Sequence, residues 1–123
     1  MTTGSPLDDV TPGGLVRGDV VWAELSPTRG REQSGRRPAL VVSSRGYLRA
    51  VTTLIVVLPV TTVERGWSNH VALRGDHGLT RPSWAMTEQV RTISRDRVVA
   101  VAGGVDAVTM AEVDEWLRAM LGL

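Results

Sequence analysis

Cysteine, lysine and phenylalanine are all missing from this chain, and each absence removes a class of explanation. Without cysteine there is no disulfide, no thiolate metal site and no cysteine nucleophile, which fits a reducing compartment, and a cytoplasmic location is expected. Without lysine, all 14 cations are arginine. GC-rich coding accounts for that bias, so the information lies in where the arginines cluster. Aromatics are scarce, four Trp and one Tyr, which counts against a barrel that binds RNA by stacking bases on exposed rings. The two histidines, His70 and His77, have no cysteine to join them, and no metal site or cofactor is expected. The G-x-S-x-G elbow, the Walker loop and the G-x-G-x-x-G turn are also absent. The apolar run Leu54 to Val60 is far below the ~20 residues of a membrane helix, so no membrane partner is expected. Met1 to Gly14 lacks the basic start and apolar stretch of a secretory signal and carries Asp8 and Asp9.

What is present fits one soluble domain. A chain of 123 residues, 42% apolar and 22% charged, builds one hydrophobic core. Residues 1–14 mix Thr, Gly, Ser, Pro and Asp without apolar period and are expected to be a flexible tail; residues 15–123 form the domain. Strands are expected at Asp19–Leu25, Pro38–Ser43, Leu54–Val60, Asn69–Leu73, Trp84–Ile93 and Val98–Ala102, each rich in β-branched or alternating apolar residues. Leu54–Val60 is apolar throughout and reads as buried on both faces. Pro59 lacks an amide proton, so its end of that strand is expected at an edge, a bulge or a mouth. Thr109 and Glu112 form a T-x-x-E capping box ahead of Met110, Val113, Trp116, Leu117, Met120 and Leu121 at helical spacing. Six or seven short strands followed by one helix predict a compact barrel or half-barrel.

Chemistry concentrates in Pro27-Thr-Arg-Gly-Arg-Glu-Gln-Ser-Gly-Arg-Arg-Pro38, where Arg29, Arg31, Arg36 and Arg37 hang between two apolar strands with Glu32 and Gln33. Loops on a rigid frame carry function, and guanidinium groups recognise phosphate bidentately. A solvated hairpin loop accounts for the arginines alone; it does not account for their company.

That company resembles the MazF/PemK toxins of bacterial toxin–antitoxin systems. The resemblance runs from Arg17 to Leu123 and rests on four ordered motifs. These are Arg17-Gly-Asp-Val-Val-Trp22, the Pro27–Pro38 loop, Leu58-Pro-Val-Thr61, and Glu88-Gln-Val-Arg-Thr-Ile93. It implies a mostly β fold, an SH3-like β-barrel of the MazF/CcdB-like kind with a C-terminal helix. It also implies a homodimer, metal-independent and sequence-specific cleavage of single-stranded RNA, and neutralisation by a cognate MazE-like antitoxin. Carried over by position, the resemblance makes Arg37 and Thr61 catalytic, with Glu32 as the acidic loop residue. It makes Gln33, His70, Glu88 and Gln89 RNA-contacting. Arg31 departs from the small polar residue common at its position; with Arg29 and Arg36 it makes an unusually basic, RNA-binding loop, which bears on the sequence cut.

The residues support the same roles chemically. Attack of a 2′-hydroxyl on phosphorus without a metal requires donors for the non-bridging oxygens and management of two protons. Arg37 serves the first need and the Thr61 hydroxyl orients an oxygen. Glu32 acts either as base or, the reading favoured here, as the partner that positions Arg37. Trp67 is the aromatic best placed to stack on RNA, with rim packing as its alternative. The rival from another class is a CcdB-like DNA gyrase-binding toxin without nuclease activity, which would need no phosphate site.

Overall fold

The computed structural model describes residues 14–25 and 35–123. The expected tail, Gly14 apart, and the loop residues Arg29, Arg31, Glu32 and Gln33 lie outside them. The strands are β1 (Asp19–Ala23), β2 (Arg37–Val41), β3 (Leu54–Thr61), β4 (His70–Ala72), β5 (Trp84–Met86), β6 (Arg91–Ser94) and β7 (Val98–Gly104). A short helix α1 (Arg45–Ala50) follows β2, and α2 (Ala107–Leu121) ends the chain. All pairings are antiparallel, and the order β4-β5-β3-β2-β1-β7 has β6 added beside β3.

β3 organises the molecule. Its first half, Leu54–Val57, pairs with β6, and its end, Val60–Thr61, pairs with β5. The alternation of a strand sends Ile55 and Val57 to one core and Leu58 and Val60 to another. The expectation of burial on both faces is therefore met. The first core, with Val21, Ala39, Val41 and Ile93, fills the inside of the curl made by β6, β3, β2, β1 and β7. The turn Arg95–Arg97 leads from β6 directly into β7 and draws the two ends of that curl together. The second core, with Val20, Leu40, Val71, Ala85 and Val113, lies between the outer face, the β4–β5 hairpin and α2. The result is the mostly β architecture with a C-terminal helix that the sequence predicts.

Pro59 illustrates why the ladder tolerates it. Val56 points its carbonyl and amide toward β2, to Val42 N–H and Ser43 Oγ. Alternation then turns Pro59 the other way, into the gap where β6 has stopped and β5 has not begun. No ladder bond is lost.

Four local expectations are corrected. The span Trp84–Ile93 is two strands, because Thr87 turns inward to donate from its hydroxyl to Asn69 O (2.7 Å) and Gln89 N–H closes a turn on Met86 O (3.0 Å). Residues 45–50, between the expected strands Pro38–Ser43 and Leu54–Val60 and given no element there, are helical: Ser44 Oγ caps Tyr47 N–H, and Leu48 is buried in the first core. The cap of α2 is Asp106 rather than Thr109. Its carboxylate accepts from both the N–H (2.9 Å) and the hydroxyl (2.7 Å) of Thr109, so Thr109 takes the third helical position. These bonds outweigh slight desolvation and hold the Asp106 carboxyl below the usual range. Finally, Met120 and Leu121 are exposed, outside the second core that Val113, Trp116 and Leu117 join, and the sulfur of Met120 reaches back, 3.6 Å from the Thr87 hydroxyl.

Candidate functional site

One rim of the sheet collects the ends that matter. β1 ends there at Ala23, paired with Arg37 at the start of β2. Arg37 is thus the first residue of the strand, not the last of the loop. The β2–β3 register pairs Ala39 with Pro59 and Leu40 with Leu58; carried two residues further, it sets Arg37 across from Thr61. Alternation puts both side chains on the face of the first core, beyond its end. Arg37 is exposed, and its guanidinium makes no ion pair or hydrogen bond among the described residues. Arg36 beside it is exposed as well. Thr61 is half-buried, with Oγ1 accepting from Val63 N–H at 3.0 Å; its hydroxyl proton remains free to donate.

The same row of the sheet continues through Trp84, paired with Thr61, to Ala72 on β4. Two residues along β4 sits His70, paired with Met86. Strand geometry separates His70 from Thr61 by about 10 Å across the sheet and about 7 Å along it. Around His70 the polar groups are tied to one another. Its ring is buried, and Nε2 lies 3.0 and 3.1 Å from the two carboxylate oxygens of Glu88. Nδ1 meets no partner among the described residues, so the tautomer with its proton on Nε2 satisfies the pair. Asn69 Nδ2 donates to Glu88 Oε1 at 2.9 Å, and Gln89 reaches Glu88 Oε2 at 3.5 Å. Partial burial raises the Glu88 carboxyl, but its hydrogen bonds, that from His70 foremost, overcome this and leave it below the usual glutamate range. Over the cluster stands Trp67, 52% exposed, its ring 4.8 Å from that of His70 and the Arg65 guanidinium 5.5 Å from its centre.

Of the residues singled out in the sequence, Arg37 and Thr61 fall together at the rim, Arg36 beside them, and Trp67, His70, Glu88 and Gln89 together in the second group. Arg29, Arg31, Glu32 and Gln33 lie outside the described residues. Sequence reasoning passed over three residues that hold this arrangement. Asn69 and Thr87 fix Glu88 and the turn that carries it. Arg91 donates to the carbonyl of Leu25, the last described residue before the arginine-rich loop. Arg91 stands inside Glu88–Ile93, which was the available signal. Among the described residues no group of three or more His, Asp or Glu converges as metal ligands do, and no helix is long and apolar enough to cross a membrane.

Residues 16–121 match the model of the PemK-like, MazF-like toxins of type II toxin–antitoxin systems. The chain belongs to this family. Endoribonuclease EndoA of Bacillus subtilis is 36% identical over 109 residues, covering 87% of this chain and 94% of its own. Endoribonuclease MazF9 of Mycobacterium tuberculosis is 34% identical over 113 residues, covering 87% and 96%. Among solved structures, MazE–MazF of Deinococcus radiodurans superposes with a TM-score of 0.75 at 32% identity over 89% of this chain and 96% of that one. The MazF-like fold thus spans nearly the whole chain, and the rim with Arg37 and Thr61 is part of it.

Proposed function

We propose that this toxin is an endoribonuclease that cuts single-stranded RNA at a specific short sequence without a metal ion, and so inhibits translation and growth. The observation that carries this reading is the register that brings a strand-held arginine, free of internal partners among the described residues, opposite a threonine hydroxyl. The substrate 2′-oxygen bonds to phosphorus while the bond from phosphorus to the 5′-oxygen breaks. One proton leaves the 2′-hydroxyl and one reaches the departing 5′-oxygen. Arg37 holds the non-bridging oxygens as charge builds on them, and Thr61 donates to an oxygen of the same phosphate. Glu32, in the loop, positions Arg37. The products are a 2′,3′-cyclic phosphate and a 5′-hydroxyl, and DNA is inert because it has no attacking group. Arg29, Arg31, Gln33 and Arg36 grip the strand from the loop, while Trp67, His70, Glu88 and Gln89 read it farther along the same face. Relatives solved with their antitoxins support neutralisation by a MazE-like partner. The exposed valines Val99 and Val101 on the edge strand β7 support a homodimer.

The test incubates purified protein and Arg37→Ala with a mixed single-stranded RNA in excess EDTA and identifies cut sites and end groups. Cleavage by the unsubstituted protein alone, leaving cyclic phosphates, is expected. Ends with 3′-hydroxyl and 5′-phosphate would refute the mechanism, and no cleavage would favour the gyrase-binding alternative.

A further inference from the structure

Behind the Arg37–Thr61 rim, on the face of the second core, lies a cleft of about 140 Å³ between β1, β2 and the loop that runs from β4 to β5. Its floor is apolar: Trp22, paired with Pro38, and Leu79. Its mouth is polar, formed by Thr62, Thr80 and Arg81. Pro38 and Thr62 are the chain neighbours of Arg37 and Thr61, so the two sites share one rim and differ only in the face they open on. The lining includes no carboxylate among the described residues. Arg81 is exposed and makes no ion pair among them.

The loop that presents Arg81 is held firmly. A side chain at Gly78 would place its first carbon 2.0 Å from Ala102 O, and one at Gly103 would place it 2.2 Å from Asp76 O. Only bare backbone lets the loop lie so close to β7. Gly104 N–H donates to Asp76 O (3.0 Å), Leu79 N–H to His77 Nδ1 (3.1 Å), and the Ser83 hydroxyl to Arg81 O (2.9 Å). The main chain at Arg81 is therefore fixed while its guanidinium is free, the arrangement that binds an anion with least ordering cost.

We infer that this cleft is a second nucleotide subsite, which receives the base next to the cleaved bond on Trp22, Pro38 and Leu79 and holds its phosphate with Arg81. The inference rests on the ribonuclease reading. An RNA strand crossing the rim at Arg37 and Thr61 reaches the cleft with its next nucleotide. The cleft accommodates one base-sized group and its hydroxyl-lined mouth meets base edges, so it contributes to the choice of sequence at that flanking position.

The experiment starts from the sequence that the unsubstituted protein cuts. An RNA oligonucleotide of that sequence, with 2′-deoxyribose at the cut position, is titrated at several salt concentrations against the unsubstituted protein, Arg81→Ala and Arg81→Lys. Arg81→Ala is expected to weaken binding about tenfold and to reduce the slope of log K against log salt by about 0.7, the share of one phosphate on a single strand. Arg81→Lys is expected to keep the slope. In cleavage assays the loss falls on KM more than on kcat, and tolerance at one flanking position widens. Arg81→Gln replaces the alanine variant should that one fail to fold. A protein that cuts RNA, with Arg81→Ala matching it in affinity and salt slope, overturns this inference alone. A protein that cuts no RNA overturns the ribonuclease reading, and this inference with it.

Discussion

The rim around Arg37 and the cluster around His70 share one face of the sheet and are built in opposite ways. At the rim, Arg37 is exposed and unpaired among the described residues, and Thr61 spends only an acceptor lone pair on Val63. Around His70, four polar side chains bind one another within 3.5 Å: His70, Asn69, Glu88 and Gln89. On the proposed function, a group that stabilises charge on a transient phosphorane gains from having no internal partner to give up. On the same proposal, a group that discriminates between bases gains from being held in one geometry, and the mutual bonds of these four side chains hold them so. The rim is spare where the cluster is wired, and the two respond differently to substitution.

The largest separation is expected at the rim. Arg37→Ala and Thr61→Ala each lower cleavage by ~3 kcal/mol, a hundredfold or more in rate, while the thermal unfolding midpoint stays within about 0.5 kcal/mol of equivalent stability. Single-turnover kinetics beside calorimetry decide it; a large loss of stability at Arg37 would erase the contrast.

The wired side reverses this pattern. Thr87→Val removes the hydroxyl that donates to Asn69 O at a fully buried site and is expected to cost about 1–3 kcal/mol of stability by leaving a carbonyl unpaired. Denaturant unfolding measures it. As a control outside both regions, Asp106→Ala removes the cap of α2 and is expected to lower the unfolding midpoint with no change in cleavage specificity.

The smallest effect depends on pH. The folded pKa of Glu88 is lowered, so its stabilising contribution is present above the usual glutamate range and is lost as pH falls through the folded value. The stability gap between the unsubstituted protein and Glu88→Gln is therefore widest near neutrality and closes in acid. Asp106, also lowered, and Asp19, raised by burial against the pull of Val16 N–H, are common to both proteins and cancel in the difference. Unfolding midpoints at several pH values test this; a gap that persists in acid would assign it to packing.

Much of the fold was legible because it rests on local rules. Alternating β-branched runs marked the strands, and the apolar completeness of Leu54–Val60 announced burial on both faces. Competing local rules blurred the rest. Asp106 and Thr109 are both good caps, and only the loop after β4, where Asp106 N–H meets Arg74 O, selected the earlier one. Trp84–Ile93 alternates like one strand, and only the carbonyl of Asn69, distant in sequence, drew Thr87 inward to divide it.

The site divides along the same line. The chain by itself determined which side chains could serve the proposed chemistry, because arginine fork, hydroxyl and carboxylate are properties of residue type, and their ordered motifs marked the family. Tertiary structure alone decided which of them share a face, since that depends on pairings between residues far apart in sequence. The β2–β3 register, carried on from Ala39 and Pro59, sets Arg37 across from Thr61, and Asn69 and His70 both bond Glu88. It also placed Arg81, unremarkable in its own segment, at the mouth of a cleft behind the rim, because a glycine at 78 and another at 103 let two backbones touch.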